Sequence, residues 1–388
     1  MTGLDAKGMR QANSGALLRI LHQSVGPISL AALAARTGLS RRTVELILNA
    51  LENDGWVRTP SQELHASGRG RPARLFEFRP DAGAVLTVDV EHHRSTAQVT
   101  DLQGRPMGKA VTLISGEPGR RDRLELTRDA ITDVLTEVAL EPADIGAVTI
   151  ATPGNVDDDG VVAADLSMRQ WRGVNLRDEL CGDFGCPVVV ENNAKLAMLA
   201  ELSEGAAVGA DHMLWLMLEG VHNGMGILVN GMPYRGVRGA AGEIFWAKVL
   251  GLDAIAGSPL NGLGRLQSRQ QQADSRELVR RAQAGDEQAV AVVDEFASIL
   301  ARALSTLCWV LAPRYVILGG TLSHAVGDLL VARVAQHLDG QAPDFVDLRL
   351  SLLGPDAVLR GAVRSALGSF DWASRPALSV ASPRRAQA

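Results

Sequence analysis

Apolar residues near the N-terminus repeat at helical spacing in two short blocks. The two apolar faces consist of Leu30, Leu33 and Ala34, and of Val44, Ile47, Leu48 and Leu51. Spacing of this kind predicts two amphipathic helices within Ser29–Leu51. Between them, Gly38 can adopt the positive φ of a tight turn, and Ser40 can cap the second helix through its hydroxyl. Two helices joined by such a turn predict a helix-turn-helix.

The start of the second helix carries the residues that would contact DNA. In a helix-turn-helix, the N-terminal residues of the second helix meet base edges in the major groove. The corresponding residues here are Ser40, Arg41, Arg42, Thr43 and Glu45, with Asn49 one turn further along. Arginine suits guanine or phosphate, and glutamate accepts a hydrogen bond from cytosine. Taken alone, two arginines on a helix are equally consistent with a solvated surface.

A Gly/Arg-rich segment, Gly68–Ala73, follows the helix pair. Its glycines allow the backbone to approach a partner closely. Arg69 and Arg71 suit the narrow, strongly negative minor groove of A·T-rich DNA. The alternative interpretation is an ordinary basic linker. Together with the helix pair, this segment predicts a winged helix-turn-helix domain over residues 1–80 with operator DNA as its partner.

The distribution of charge supports a DNA-binding head. Residues 1–79 contain eleven Lys/Arg against six Asp/Glu, a net charge of +5. The whole chain has a net charge of −5, so the remainder carries −10. A basic head on an acidic body confines non-specific attraction for DNA to one end of the molecule.

From residue 81 onwards, strand patterns alternate with helical ones. The predicted strands are Val85–Val90, Thr96–Leu102, Ile145–Ala151, Met213–Leu218, Gly226–Val229 and Tyr315–Leu318. Helical patterns cover Arg120–Ala139 and Ser275–Val310, and the polar, Gln-rich segment Arg265–Arg276 is expected to be an exposed loop. The alternation predicts an α/β body over residues 81–388, long enough for one or two lobes.

Cysteine content and hydropathy narrow the class of protein. No apolar run of about 18 residues is present to span a bilayer, and the N-terminus lacks the apolar core of a signal peptide. The three cysteines, Cys181, Cys186 and Cys308, fit a reducing compartment. The Cys181/Cys186 spacing is poor for zinc, and no second ligand pair follows it. We therefore expect a soluble cytoplasmic protein with no membrane partner and no bound metal.

Motifs along nearly the whole chain resemble those of the ROK family of repressors and sugar kinases. They are, in chain order, RQANSGALLRIL, GRGRPA, ATPGNVD, WRGVNL, PVVVENNA, NGMPYRGVRGAAGEI and VILGG. The resemblance is to the transcriptional-repressor branch, which includes N-acetylglucosamine and xylose repressors. It implies an actin-like, two-lobed sugar-kinase fold behind a winged helix, assembled as a homodimer or homotetramer. It also implies a sugar in the cleft that changes the affinity for DNA.

Two departures from the family's kinases argue against catalysis. Those kinases carry a D-x-G-x-T phosphate loop, and the resemblance places Asp89–His93 there, with Glu91 in the position of the glycine. A carboxylate facing phosphate oxygens costs several kcal/mol. The kinases' general base is the aspartate of an E-N-D-A segment, whereas this chain has Asn193, whose amide cannot take up the proton. We expect no nucleotide cofactor and no enzymatic activity.

The resemblance also implies a sugar-binding site, although some residues at and near this site differ from those of the family. Sugar hydroxyls would be bound by Gly154, Asn192, Asn193 and Glu243. Trp246 replaces a residue of the family's usual Gly-His pair, and it either stacks on the apolar face of a sugar ring or packs in the core. The segment Val249–Leu260 lacks the family's zinc-binding cysteines, so no structural zinc is expected there.

Three functions remain open on these grounds. The favoured one is a repressor of carbohydrate-related genes whose body senses a sugar. The alternatives are an active sugar kinase with a fused DNA-binding head, and a DNA-binding regulator that responds to no ligand.

Overall fold

The computed structural model describes residues 6–60, 74–116, 118–164, 168–220, 222–264, 267–373 and Leu378. The predicted wing, Gly68–Ala73, lies outside the described residues, and with it Arg69 and Arg71. The described chain forms an N-terminal head and a body of two α/β lobes.

The head contains the predicted helix-turn-helix. Its elements are α1 (Ala6–His22), β1 (Ile28–Ser29), α2 (Leu30–Thr37), α3 (Arg41–Asn53), β2 (Val57–Arg58) and β3 (Leu75–Phe78). The strands form an antiparallel sheet in the order β1-β3-β2. The hydroxyl of Ser29 caps α2, which ends at Gly38 with a φ of +70°. Of the two predicted apolar faces, Leu33 and Ala34 on α2 and Val44, Ile47, Leu48 and Leu51 on α3 are buried, while Leu30 is partly buried against the same cluster.

The first lobe is built on a five-stranded sheet in the order β10-β7-β4-β5-β6. Its elements are β4 (Ala84–Val90), β5 (Arg94–Asp101), β6 (Pro106–Leu113), α4 (Arg120–Val138), β7 (Ile145–Thr152), β8 (Asn155–Val156), β9 (Val162–Ala164), α5 (Leu176–Cys181), β10 (Val188–Asn192) and α6 (Asn193–Glu204). Strands β10, β7 and β4 are parallel. Every residue of β4 and β7 is buried, which is why their apolar runs are continuous rather than alternating.

The second lobe repeats this arrangement with a sheet in the order β13-β12-β11-β14-β15. Its elements are β11 (Met213–Glu219), β12 (His222–Val229), β13 (Met232–Pro233), α7 (Arg269–Gln283), α8 (Glu287–Leu311), β14 (Tyr315–Gly319), α9 (Gly320–Val326), α10 (Asp328–Leu338), β15 (Asp347–Leu350) and α11 (Ala357–Ser369). Strands β11, β14 and β15 are parallel. Helix α11 returns to the first lobe, where it packs on α6, β4 and β7.

The structure corrects the prediction for the Gln-rich segment. Most of it belongs to α7 rather than to a loop. Ser268 and Gln271 form a capping box at the start of this helix, each side chain accepting a hydrogen bond from the other residue's backbone N–H. The face that holds the helix to the lobe is short and partly polar, consisting of Ser275, Val279 and Ala282. Residues 269–274 contribute no buried side chain to this face, so the first half of the helix shows no apolar periodicity in the sequence.

The predicted helix Ser275–Val310 is two helices. Helix α7 ends at Gln283, and α8 begins after its N-cap Asp286, whose side chain accepts a hydrogen bond from the N–H of Ala289. An aspartate cap satisfies backbone donors that a continuous helix would already have paired, so it favours a new start.

Head and body share one apolar cluster. The head contributes residues that include Leu17, Leu21, Val44, Trp56 and Phe78, and the body contributes Val85, Leu102, Ala147, Ala366, Phe370 and Trp372. Phe370 and Trp372 follow α11, and their rings lie 4.7 Å apart. Trp372 also lies 4.6 Å from the ring of His22, whose Nε2 donates to the Leu102 carbonyl at 2.6 Å. Residues from the far end of the chain therefore complete the core on which the head rests.

Candidate functional site

The N-terminal turn of α3 presents charged side chains to solvent. Arg41, Arg42 and Glu45 are exposed. Ser40 is the N-cap: its Oγ accepts from the Thr43 backbone N–H at 3.1 Å and lies 2.8 Å from the Thr43 hydroxyl. The two hydroxyls therefore fix the start of the helix, while the arginines and the glutamate are accessible to a partner. This is the arrangement that a recognition helix needs.

Asn49 has a different environment from the other predicted DNA contacts. Its Oδ1 accepts from Nη1 of Arg74 at 2.8 Å, and Arg74 also pairs with Glu52. Asn49 thus joins α3 to the chain that enters β3. Its contact with DNA, like that of the other predicted residues, stays a prediction.

The predicted sugar residues meet where two parallel strands end. Thr152 at the end of β7 pairs in register with Asn192 at the end of β10. Gly154 follows β7, and its carbonyl accepts from Nδ2 of Asn192 at 2.8 Å. The Oδ1 of Asn192 accepts from the backbone N–H groups of Ala194 and Lys195, at 2.9 and 3.3 Å. Both ends of the Asn192 amide are therefore used to join Gly154 to the start of α6.

Asn193 and Glu243 complete the predicted set. Asn193 is the first residue of α6 and is partly buried, with its Oδ1 2.9 Å from the Ala194 backbone N–H that donates to it. Glu243 is also partly buried. Trp246 is 50% exposed, which excludes the core-packing interpretation and leaves its ring accessible.

Two cationic side chains that the sequence analysis did not predict lie beside these residues, the buried Lys195 and the partly buried Arg235. Lys195 is 2% exposed, and its Nζ donates to the carbonyl of Gly239. Burial lowers the pKa of Lys195, whereas the nearby carboxylates of Glu191 and Glu243 raise it. Arg235 donates from Nε to Oε2 of Glu191 at 2.7 Å. Arg235 lies inside one of the recognised motifs and Lys195 directly follows another, but no local pattern reveals the contacts that either cation makes.

The turn between β4 and β5 is closed by an ion pair. Nε and Nη2 of Arg94 donate to Oε1 of Glu91 at 3.0 and 2.6 Å. Nη1 of the buried Arg123 donates to the carbonyls of Glu91 and His92 at 2.9 and 2.8 Å. The turn therefore contains a carboxylate and two carbonyl oxygens that accept hydrogen bonds from arginine. A phosphate group would instead need backbone N–H donors from this turn.

The described residues contain neither a metal-binding cluster nor a membrane-spanning helix. No group of three or more His, Cys, Asp or Glu residues in them lies close enough together to hold a metal ion. None of the described helices combines the length and the apolar character that crossing a bilayer requires.

Comparison with known proteins bears on both halves of the chain. Residues 86–246 and 254–368 match the ROK family, and residues 12–61 match the IclR helix-turn-helix domain. The xylose repressor of Bacillus subtilis strain 168 is 30% identical over 247 residues, which cover 62% of this chain and 61% of that repressor. A glucokinase of Halalkalibacterium halodurans is 29% identical over 268 residues, or 60% of this chain and 79% of the kinase. The chain thus matches about three-fifths of the length of the repressor.

A solved structure shows the same architecture. A ROK family transcriptional regulator, a homologue of the E. coli MLC protein, aligns with a TM-score of 0.70 at 20% identity, covering 94% of this chain and 97% of its own. This likeness confirms the fold predicted from the sequence, an actin-like two-lobed body with an N-terminal helix-turn-helix. With matched segments that extend over most of its length, the chain belongs to the ROK family.

Proposed function

We propose that this chain is a DNA-binding transcriptional repressor of carbohydrate-related genes, whose kinase-like body binds a sugar effector without phosphorylating it. The observation that carries the proposal is the start of α3, where a capped turn leaves Arg41, Arg42 and Glu45 exposed. In this position such residues reach base edges in the major groove. The likeness to a xylose repressor over three-fifths of its length supports a sugar as effector.

The proposal that the body has no catalytic activity rests on two residues, each of which affects a separate requirement of phosphate transfer. The carboxylate of Glu91, paired with Arg94, occupies the turn that would otherwise hold nucleotide phosphates. Asn193 supplies an amide where the family's kinases supply a general base. An amide both donates and accepts hydrogen bonds, so Asn193 suits holding a sugar hydroxyl.

The packing of α6 and α11 supports communication between sugar and DNA. Helix α6 begins at the sugar residues and packs against α11, and the chain after α11 enters the cluster shared with the head. An effector that prefers one arrangement of these elements changes DNA affinity through its differential affinity for the two states. A difference of 2–3 kcal/mol is enough for a roughly hundredfold effect.

We further propose that the protein acts in the cytoplasm as a homodimer or homotetramer. A symmetric pair of recognition helices meets two operator half-sites about one DNA turn apart. An effector that changes the separation of the two recognition helices would release the operator.

The decisive test is fluorescence-anisotropy binding of the full chain to the DNA beside its own gene, at one fixed salt concentration, with a panel of mono- and disaccharides. Tight binding that one sugar weakens is the expected result and identifies the effector. Tight binding unaffected by every sugar would favour a regulator that responds to no ligand. Absence of specific binding would contradict the proposal.

A further inference from the structure

One loop connects the two lobes at the sugar residues. We call Arg235–Glu243 the bridging loop. At Gly239 a Cβ would stand 2.0 Å from the carbonyl oxygen of Val156, in the first lobe. At Gly242 a Cβ would stand 2.1 Å from the carbonyl oxygen of Met225, in the second lobe. The loop therefore lies directly against the backbone of both lobes and carries Glu243 at its end.

Arg235 fastens the beginning of the bridging loop to the first lobe. Besides its bond to Glu191, its Nη2 donates to the carbonyls of Val156 and Asp157 at 3.0 and 3.3 Å, and its Nη1 pairs with Asp158. The planar guanidinium is suited to several acceptors at once, because its five N–H donors have fixed directions. The guanidinium of Arg235 thus joins the end of β8 and the residues after it to the end of β10.

Lys195 fastens the middle of the bridging loop to helix α6. Its ammonium reaches from the first turn of α6 to the Gly239 carbonyl. A buried ammonium is stable only when hydrogen bonds and opposite charges replace the water it has lost. Here the opposite charges are Glu191, the next-to-last residue of β10, and Glu243, the last residue of the bridging loop.

We propose that Lys195 and Arg235 are positioning residues of the sugar site, which hold the bridging loop so that Glu243 faces the start of α6. Glu243 then accepts hydrogen bonds from a sugar that also meets Asn193. This inference rests on the proposed sugar-sensing function, since it assigns to these cations a role in forming that same site.

Hydrogen exchange on the ligand-free full chain tests the positioning role. Lys195→Met keeps the length of the side chain but removes its charge, and Arg235→Gln removes the guanidinium fork. Each should raise amide exchange in residues 235–243 by about tenfold or more, because backbone contacts that close the loop are lost. Lys248→Met, an exposed lysine just beyond the loop, is the matched control and should leave exchange unchanged. Unaltered loop exchange in both folded variants would overturn the proposal.

Sugar binding supplies the second readout, with D-xylose and D-glucose as probes in calorimetric titrations. If the wild type binds either sugar, Lys195→Met should bind it about ten- to a hundredfold more weakly, as expected when a hydrogen bond involving a charged group is lost. As the pH is lowered, the affinity of Lys195→Met should fall at a higher pH than that of the wild type, because a carboxylate that has lost the nearby Lys195 ammonium is more easily protonated.

The two readouts separate this inference from the proposed function. A wild type that binds no sugar counts against sugar sensing, whereas the exchange result still decides whether the cations hold the loop. A variant that binds sugar as well as the wild type, with the same pH profile, contradicts the positioning role. Should Lys195→Met fail to fold, Arg235→Gln provides the same test, since the Arg235 side chain is 30% exposed.

Discussion

Gly361 of α11 lies directly against the backbone of Leu196 in α6: a Cβ at residue 361 would stand 1.7 Å from the Leu196 carbonyl oxygen. The two helices approach this closely only because glycine occupies the crossing point. Helix α6 begins at the proposed sugar residues, and the chain after α11 enters the core of the head. The helix crossing therefore lies between the proposed sugar site and the DNA-binding head.

Gly361→Ala should destabilise the fold by about 1–3 kcal/mol or more, because the added methyl group forces α6 and α11 apart. Chemical unfolding followed by circular dichroism measures the change. Gly368→Ala is the matched control on the same helix, since a Cβ there meets no atom within 4 Å. It should stabilise the protein by about 0.5–1 kcal/mol through helix propensity. Equal unfolding free energies in the two variants would show that the helices do not pack as described.

Arg41→Ala and Arg42→Ala should each weaken operator binding, because both side chains are exposed at the start of the recognition helix. Losing a contact with a base should cost about 1–3 kcal/mol of binding free energy and alter specificity at one position. Losing a phosphate contact should weaken binding to all sequences alike and reduce the salt slope by about 1. Anisotropy titrations at several salt concentrations distinguish the two.

Arg121→Ala is the control for these variants, since Arg121 is an exposed arginine of α4 in the body and its side chain is 88% exposed. It should leave DNA binding unchanged. If neither recognition-helix variant weakens binding, the placement of α3 in the major groove is wrong.

Acid should loosen the contact between head and body through His22. Burial is the main cause that lowers the pKa of His22 below its ordinary value of 6.5, with Arg364 acting in the same direction. The folded state therefore holds fewer protons than the unfolded state, and stability rises with pH. The contribution of neutral His22 is complete above pH 6.5 and is lost progressively as the pH falls below that value and through the lowered pKa of the folded state.

The measurement is the unfolding free energy between about pH 7.5 and about pH 5.5, whose dependence on pH should be weaker in His22→Asn than in the wild type. His93→Asn replaces an exposed histidine and should behave as the wild type. Identical pH profiles for all three proteins would exclude His22 as the titrating group.

The wild type should not transfer phosphate from ATP to D-glucose or D-xylose, because Glu91 and Asn193 affect two separate requirements of the reaction. Asn193→Asp restores a base but leaves Glu91 paired with Arg94, so this variant should also be inactive. A coupled assay for ADP release, with the Halalkalibacterium halodurans glucokinase as positive control, measures the rate. Phosphorylation by the wild type would establish the kinase alternative.

The elements that were predicted correctly carry strong local signals. Strands β4 and β7 are buried along their whole length and appear in the sequence as predominantly apolar runs without strict alternation. The turn at Gly38 and the cap at Ser40 depend on the conformational and hydrogen-bonding properties of single residues. Only the first half of α7 was wrongly assigned to a loop, because residues 269–274 contribute none of the buried side chains of this helix.

The parts of the sites that were not predicted depend on contacts between distant segments. Lys195 meets Gly239 across 44 positions, and Arg235 meets Val156 across 79. A lysine four residues beyond Glu191 gives the ordinary pattern of an exposed helix face, and only the folded chain shows that the bridging loop covers it.

The cluster shared by head and body limits how freely such regulators can exchange parts. A chimaera that transfers only residues 1–79 to another ROK body would separate Trp56 and Phe78 from the rings of Phe370 and Trp372 that they contact in this chain. The portable unit is discontinuous, consisting of the N-terminal head together with the chain that follows α11. Recombination that separates the head from the chain after α11 would break the contacts of this shared cluster.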